Sequence, residues 1–369
     1  MLYLGIDQHK RQLTVNLRNE DGSVILKRQV STQWEKVRTF FADLAEKAKS
    51  DDGFMAILEV CGMNPWLLAM LKEYGCREIV VIQPAKRSVQ KTDGRDAAEL
   101  SHLLWVHRHN FLGGECPLGV RRVLPPSPQE ADDRQLTALR ARLTRQRTAV
   151  LNGIHKLLRK HNLEQFQPTK EFQTKKVRAW LTELELPALD RLELNMLVPQ
   201  WDLLDSQLDA VEAKIAERAA ADEQVQLLES IPGVGHYSAL AIHSRIGDID
   251  RFKHADSLAN FFGLTPGCNN SGENTKRLGS ITKRGSKLVR YLLNQAVIKV
   301  LRFDSDMRTW FKRIKRRRGA KIARVAVMRR LTTILWHMLK KKQKYRYKAI
   351  VKRHEAFDAY AGTATVQGN

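Results

Sequence analysis

The order of elements in the first hundred or so residues restricts the folds open to this chain more than any other feature. LYLGID is an apolar run that ends in an acid, and QLTVNL alternates polar and apolar residues before the turn-forming NEDG. SVILKRQV is a third strand candidate, and three such runs joined by short turns predict an antiparallel meander. From Trp34 to Ala48 the apolar residues Val37, Phe40, Phe41, Leu44 and Ala45 recur at helical spacing. FMAILEV then reads as a buried strand with Glu59 near its end, followed by a helix through Trp66 to Tyr74. EIVVIQP is a last strand stopped by Pro84, and DAAELSHLLWVHRH is a helix with Asp96 in its first turn.

Three meander strands, helix, strand, helix, strand, helix is the order of a ribonuclease-H-like α/β domain. The Pro-rich LPPSPQEADD, beginning at Leu124, separates it from an all-α continuation. One long helical stripe there carries Leu136, Leu139, Leu143, Val150, Ile154 and Leu157. A second carries Leu197, Trp201, Leu204, Leu208, Val211 and Ile215, whose alternating steps of four and three are the rhythm of a coiled coil. Pro199 is expected to kink that helix or delay its start. A shorter helix with Val177, Trp180, Leu181 and Leu184 lies between them, and an antiparallel hairpin or bundle fits the region. The expected organisation is an α/β domain over 1–110, a linker over 111–128, helices over 129–222, a mainly helical domain over 223–345 and a basic, then flexible tail over 346–369. An apolar stripe of Ile322, Val325, Met328, Leu331 and Leu335 is expected to form the buried face of a basic helix near the end.

Charge separates these regions sharply. The chain has 63 Lys and Arg against 40 Asp and Glu, a formal net charge of +23. Between Lys276 and Arg353 there are 27 Lys and Arg against two acids, Asp304 and Asp306, so the excess is confined to one segment. A segment so lopsided calls for a polyanion, and nucleic acid is the usual one. No apolar run reaches the length of a membrane span, and Asp7 interrupts any signal-peptide core, so no membrane partner and a cytoplasmic location are expected. Cys61, Cys76, Cys116 and Cys268 lack the spacing of a zinc site or a disulfide framework and read as reduced, buried residues.

Two sets of residues carry candidate chemistry. Asp7 and Glu59 end strands, while Asp93 and Asp96, in KTDGRDAAEL, stand at the mouth of a helix where a spacing of three shares one face. Four acids so placed can meet and hold two divalent ions, and an all-oxygen site favours Mg²⁺ or Mn²⁺. Each also has a plainer reading, as a polar strand end or, for Asp93, a helix cap, and Glu99 is either a further ligand or a solvated residue. The other set is CNNSGENTKRLGSITKRGS, where Ser271, Ser280 and Ser286 lie among Lys276, Arg277, Lys283 and Arg284, with Lys287 next. Spacing alone does not distinguish the three serines. Upstream, Ile231-Pro232-Gly233-Val234-Gly235 has the pattern of a helix-hairpin-helix turn, in which Gly233 and Gly235 would let backbone N–H groups approach a phosphate. Arg316, Arg317 and Arg318 form the densest basic run and are read with the other bases as nucleic-acid-binding.

In order, GIDQHK, LEVCG, KTDGRDAAEL, SIPGVGHYSALAI, FFGLTPGCNNSGE and GSITKRGSKLVRYLL resemble the transposases of the IS110 insertion-sequence family, with its IS1111 subgroup. The resemblance spans roughly Met1 to Leu339 and is weakest in the helical middle. It implies an N-terminal RuvC-like DEDD domain, a coiled-coil insert and a C-terminal transposase domain. It puts the four DEDD acids on Asp7, Glu59, Asp93 and Asp96, and a serine nucleophile on Ser271, which precedes Gly272 as the family pattern requires. It further implies a serine–phosphate link to DNA formed beside the metal site of another subunit, a junction intermediate, guidance by a non-coding bridge RNA that pairs with donor and target DNA, and dimers that assemble into tetramers. After Glu59 the family often has a small residue, Gly and Tyr; here VCGMNPW keeps Gly62 and offers Trp66 as the aromatic. The tail from Lys340 is also longer and more basic than the pattern.

No G-x-S-x-G elbow or His–Asp partner stands near Ser271, which argues against a hydrolase triad. The alternative within the same chemistry is a RuvC-like, Mg²⁺-dependent junction nuclease in which water attacks and Ser271 only touches phosphate. A non-catalytic nucleic-acid-binding protein would leave the four acids unexplained.

Overall fold

A computed structural model of the chain describes residues 1–83, 93–268 and 278–346. The chain divides into two compact units, one from Met1 to Pro125 and one that begins at Pro126.

The first unit is built on β1 (Leu2–Gln8), β2 (Gln12–Arg18), β3 (Val24–Ser31), α1 (Trp34–Lys49), β4 (Phe54–Glu59), α2 (Asn64–Glu73), β5 (Glu78–Ile82), α3 (Asp93–Val106) and α4 (Arg108–Leu112). Its five strands stand in the order β3-β2-β1-β4-β5. The three meander strands pair antiparallel, while β4 and β5 join β1 in parallel because a helix returns the chain before each of them. Strand alternation gives the sheet two apolar faces. Leu4, Ile6, Ala56 and Leu58 pack under Phe41 and Leu44 of α1 and Leu67 and Leu71 of α2. Tyr3, Met55, Ile57 and Val80 pack on the other face with Leu100 and Leu104 of α3 and Phe111 of α4. Trp66 packs edge-on against Trp34, with ring centroids 5.7 Å apart.

The second unit opens with α5 (Pro128–Lys160), α6 (Lys175–Glu183) and α7 (Ala188–Ala220). A capping box starts α5: Ser127 Oγ accepts from Glu130 N–H and the Glu130 carboxylate accepts from Ser127 N–H. Ion pairs set the register of α5 on α7. Asp133 meets Arg218, Arg140 meets Glu212, Arg147 meets Asp205 and Lys160 meets Asp190, so residue numbers rise along one helix as they fall along the other. The two are therefore antiparallel partners within one chain.

Pro199 does not delay the start of its helix. The helix begins eleven residues earlier, at Ala188, buries Leu194, and runs through the proline without a break. Pro199 lies on the exposed side, where the carbonyl left without its N–H partner is open to water.

Beyond the hairpin come α8 (Glu223–Glu229), α9 (His236–Ile246), α10 (Ala255–Phe261), β6 (Pro266–Cys268), β7 (Leu278–Ile281), α11 (Lys287–Phe303), α12 (Ser305–Arg318) and α13 (Ala320–Lys341). Ile215 and Ala219 of α7 join Leu228, Leu240, Val297, Val327 and Leu335 in one core. The stripe expected for α13 holds at Met328, Leu331 and Leu335, which are buried, while Ile322 is 56% exposed and Val325 half-buried; Ala323 and Val327 complete the inward face. Cys61, Cys76 and Cys116 are free; Cys61 and Cys76 are half-buried and Cys116 is exposed, so the expectation of burial fails at Cys116, while the Cys268 side chain lies outside the described residues. No helix of the described residues is long and apolar enough to cross a membrane. Most of the expected tail, from 347 onward, lies outside the described residues.

Candidate active site and nucleic-acid interface

Register brings the candidate acids of the first unit to one edge. Ile6 pairs with Leu58 across parallel β1 and β4, so Asp7 and Glu59 are the next residues at the carboxyl ends of adjacent strands. Both share the face that packs on α3, because Tyr3 and Ile57, an even number of positions earlier, are in that core. Helix α3 crosses this face closely at Gly5, where a Cβ would lie 2.3 Å from the Ala97 carbonyl oxygen and 2.4 Å from Ser101 N. Further along α3, Trp105 Nε1 donates to the Glu20 carbonyl, back toward the start of β1. The amino end of α3 is thereby directed toward the carboxyl ends of β1 and β4. Asp96 lies there on the first turn, half-buried, and Asp93 opens the helix, though its side chain lies outside the described residues. Glu99 is exposed.

Around this edge the hydrogen bonding is specific. His9 Nε2 lies 3.0 Å from Asp7 Oδ2. Under α3, Arg18 Nε donates to Ser101 Oγ at 3.0 Å and Ser101 Oγ donates to Asn16 Oδ1 at 2.7 Å. Thr14 pairs with Asp7 across β1 and β2, is 4% exposed, and its Oγ1 has no hydrogen-bond partner among the described residues. A buried hydroxyl left open opposite the Asp7 strand position, and an all-oxygen set of candidate donors, are compatible with a hard cation. Among the described residues, no group of three or more His, Cys, Asp or Glu is close enough to hold a metal ion.

The loop quoted above is carried by a two-stranded ribbon that the sequence reading did not anticipate: β6 and β7 pair antiparallel on either side of it. Ser271, Lys276 and Arg277 fall between these strands and lie outside the described residues. The base of the ribbon is described. Gly263, at φ +68°, sits so close to the Lys283–Arg284 backbone that a Cβ would be 2.3 Å from Arg284 N, and a Cβ on Gly285, at φ +71°, would be 2.0 Å from the Phe261 carbonyl oxygen. Arg290 Nη1 donates to the carbonyls of Phe262, Arg284 and Gly285, at 3.1, 2.6 and 3.2 Å. Burial lowers the Arg290 pKa from its ordinary value. Lys283, Arg284 and Lys287 are exposed around this crossing, as is Ser280. Ser286 is committed elsewhere, since its Oγ caps α11 by accepting from Val289 N–H.

The Gly233–Gly235 turn joins α8 to α9. Ile231 and Val234 are buried, and Val234 N–H donates to the Ile231 carbonyl at 3.0 Å. Gly233, at φ +86°, faces Lys299 of α11, while Gly235 is the residue before α9 and nothing stands within 4 Å of where its Cβ would be. The first N–H groups of α9 therefore begin beside open backbone. His236 and His243 both have carboxylate partners, Glu229 at 2.7 Å and Asp222 at 3.2 Å. Arg316, Arg317 and Arg318 form the exposed last turn of α12, where positive charge also complements the helix dipole.

Residues 4–163 match the DEDD transposase model of IS110 elements, and residues 225–312 match the model of the transposase IS116/IS110/IS902 family, together more than half of the chain. The chain belongs to the IS110/IS116/IS902 family of transposases. It is 28% identical to the transposase of insertion sequence element IS1111A of Coxiella burnetii over 79% of each chain. It is 25% identical to a probable family 20 transposase of Pseudomonas aeruginosa over 93% of this chain and 98% of that one. Similarity to the transposase of IS1328 of Yersinia enterocolitica is 26% over 57% of this chain. As a member of this transposase family the chain is an enzyme acting on DNA. The DEDD label of the first model accords with divalent-metal use and with an acid-edged sheet domain.

Proposed function

We propose that this IS110-family transposase cuts and rejoins DNA through a Ser271–phosphate intermediate, formed beside the divalent-metal site of Asp7, Glu59, Asp93 and Asp96 of another subunit. The observation that carries the reading is the β1–β4 register, which puts Asp7 and Glu59 at adjacent strand ends on the face crossed by α3. Those two acids would hold Mg²⁺ or Mn²⁺ with Asp93 and Asp96 of α3, and a bound pair of ions supplies Lewis-acid polarisation of the scissile phosphate. Ser271 Oγ attacks phosphorus; the Oγ–P bond forms as one P–O ester bond breaks, and the serine proton ends on the departing DNA oxygen. One phosphate ester is exchanged for another, so the cut strand keeps its bond energy for rejoining. Lys276, Arg277, Lys283 and Arg284 stabilise the charge that builds on the phosphoryl oxygens. Ser286 is the weaker candidate for attack because its hydroxyl is used as a helix cap.

The RuvC-like character of the sheet unit, the helix-hairpin-helix reading of Gly233–Gly235 and the coiled-coil reading of α5 and α7 belong to the same proposal. So do the homodimer that pairs into a tetramer and the bridge RNA that would choose donor and target. Specificity delegated to base pairing needs phosphate-reading bases such as Lys287 and Arg316–Arg318 rather than base-reading side chains.

A suicide DNA substrate tests the chemistry. The native chain should yield a covalent protein–DNA adduct that disappears in Ser271→Ala and in Asp7→Asn. Free cleaved ends without adduct, and only a modest loss in Ser271→Ala, would establish water as the nucleophile and a resolvase-type nuclease. A discrete RNA co-purifying with the chain is the expected mark of guidance; a random cellular mixture would count against it.

A further inference from the structure

We propose that Gln8 and Asn64 form a side-chain brace that sets the separation of the Asp7 and Glu59 carboxylates, which makes both of them positioning residues of the metal site. The inference rests on the metal-dependent reading above.

The backbone ladder between β1 and β4 has its last pair at Ile6 and Leu58, one residue short of the two acids. On its other side β4 stays paired one step further, with Glu59 opposite Ile82 and Val60 N–H donating to the Ile82 carbonyl at 2.8 Å. Glu59 is thus fixed toward β5, while toward β1 a different contact takes over. Asn64 Nδ2 donates to the Glu59 carbonyl at 3.2 Å and to Gln8 Oε1 at 2.9 Å. Gln8 Nε2 donates to the Met63 carbonyl at 2.9 Å, and Asn64 Oδ1 accepts from Cys61 N–H at 2.5 Å. Gln8 directly follows Asp7, so the brace joins the backbone of one acid to the neighbour of the other.

Asn64 is 4% exposed, and its amide uses both the oxygen and the NH₂ group. A buried amide with its oxygen and NH₂ group both engaged has one orientation, and losing a partner strands a polar group out of water. Continued ladder pairing would hold the two acid-bearing backbones at the fixed spacing of about 4.8 Å between strands. A side-chain bridge substitutes its own length for that spacing, at the place where two like charges must stand apart yet converge on a cation. Outer groups that orient metal ligands commonly change metal affinity by about 10–100-fold when removed.

The test titrates Mn²⁺ alone into the full-length chain without nucleic acid, reading free Mn²⁺ by electron paramagnetic resonance. Melting temperature without metal is measured alongside. Native chain should bind Mn²⁺ and Asp7→Asn should lose it. Asn64→Ala and Gln8→Met should each weaken binding by about 10–100-fold. The double variant should be little worse than the weaker single one, because both interrupt one device. Gln8→Met keeps side-chain length at a half-buried strand end and guards against a misfolded Asn64→Ala. Affinity within about twofold of native in folded Gln8→Met, whatever the change in melting temperature, would make the brace purely structural and overturn the inference. If the native chain binds no Mn²⁺, or Asp7→Asn binds it equally, the metal reading falls and the brace falls with it.

Discussion

Arginine does opposite work in two parts of the second unit. Helices α5 and α7 together carry 11 Lys and Arg with 10 Asp and Glu, and their bases meet acids across the helix pair. Arg140, Arg147 and Arg218 each hold a carboxylate of the facing helix or of its neighbourhood, and Arg178 of α6 reaches Asp202 and Asp205 of α7. Helices α12 and α13 carry 13 Lys and Arg with one acid. Lys312, Arg313, the run Lys315 to Arg318, Lys321 and Arg324 are exposed and have no acid partner among the described residues. The same side chain is a register pin where acids face it and an open phosphate contact where they do not. Net charge locates the second role but says nothing of the first, since balanced bases cancel out of the sum.

The largest effect that would break this contrast is on nucleic-acid binding. Replacing Arg316, Arg317 and Arg318 by Gln should make the salt dependence of non-specific DNA affinity shallower by up to about 2.7 in the log–log slope. Stability should fall by no more than about 1 kcal/mol, because no acid loses a partner and only the exposed charges' interaction with the helix dipole is given up. Binding isotherms at several salt concentrations and a urea melt read the two quantities. An unchanged slope would remove α12 from the interface.

Arg178 is the converse case. Its guanidinium bonds Asp202 at 2.6 Å, bonds Asp205 and lies 3.8 Å from the centroid of the buried Trp201 ring. Arg178→Ala should lower stability by about 1–3 kcal/mol. Arg178→Lys should recover only part, since an ammonium cannot reach two carboxylates and stack at once. The salt slope of DNA binding should not move. A shifted slope with little loss in stability would mean that the hairpin arginines also touch phosphate, and the contrast would dissolve.

The acids of the second unit give a pH-dependent version of the same test. The Lys160 ammonium and the His161 ring hold Asp190 below the usual carboxylate range. Burial opposes ionisation of Asp222, but His243 and the capped N–H groups of Val225 and Gln224 outweigh it and keep that pKa low as well. A depressed carboxylate contributes stability above its unfolded value of about 3.9 and loses it as pH falls through the folded value. Helical signal should therefore persist through pH 5 and loosen in the acid range below about 4. A transition near neutrality would assign control to the histidines instead.

Why some of this was legible in the sequence and some was not follows from how each feature is encoded. Strands and helices of the first unit repeat at periods of two and 3.6, so LYLGID, FMAILEV and EIVVIQP declare themselves locally. Their register fixes Asp7 beside Glu59 with no further information. The Gln8–Asn64 contact joins residues 56 positions apart through amide hydrogen bonds, and no periodicity marks it. NPW reads as a helix start and an aromatic position, with nothing to mark Asn64 as a bridge to β1. Pro199 does not delay the helix because the segment from Ala188 onward already has an apolar position to bury, Leu194, and the proline itself sits on the exposed side. The β6–β7 ribbon was missed because β6 is PGC, three residues with no strand pattern. It is held by the backbone crossing at Gly263 and Gly285, which a sequence records only as two glycines.

The smallest predicted effect lies at the border of the contrast. Arg329 of α13 pairs with Asp256 of α10 at 3.0 Å, with Asp256 largely in solvent and Arg329 half-exposed. Geometry puts it with the hairpin arginines, while its helix puts it with the open set. An exposed pair of this kind contributes about 0–1 kcal/mol, because water screens the attraction and two long side chains lose freedom to make it. Arg329→Gln should therefore change stability by less than about 1 kcal/mol. Its effect on the DNA salt slope decides the class. No change would mean that a single exposed acid suffices to withdraw an arginine from phosphate. A slope shallower by about 0.9 would show that nucleic acid outcompetes Asp256, and that only the bases held by two carboxylates or by a buried one are pins.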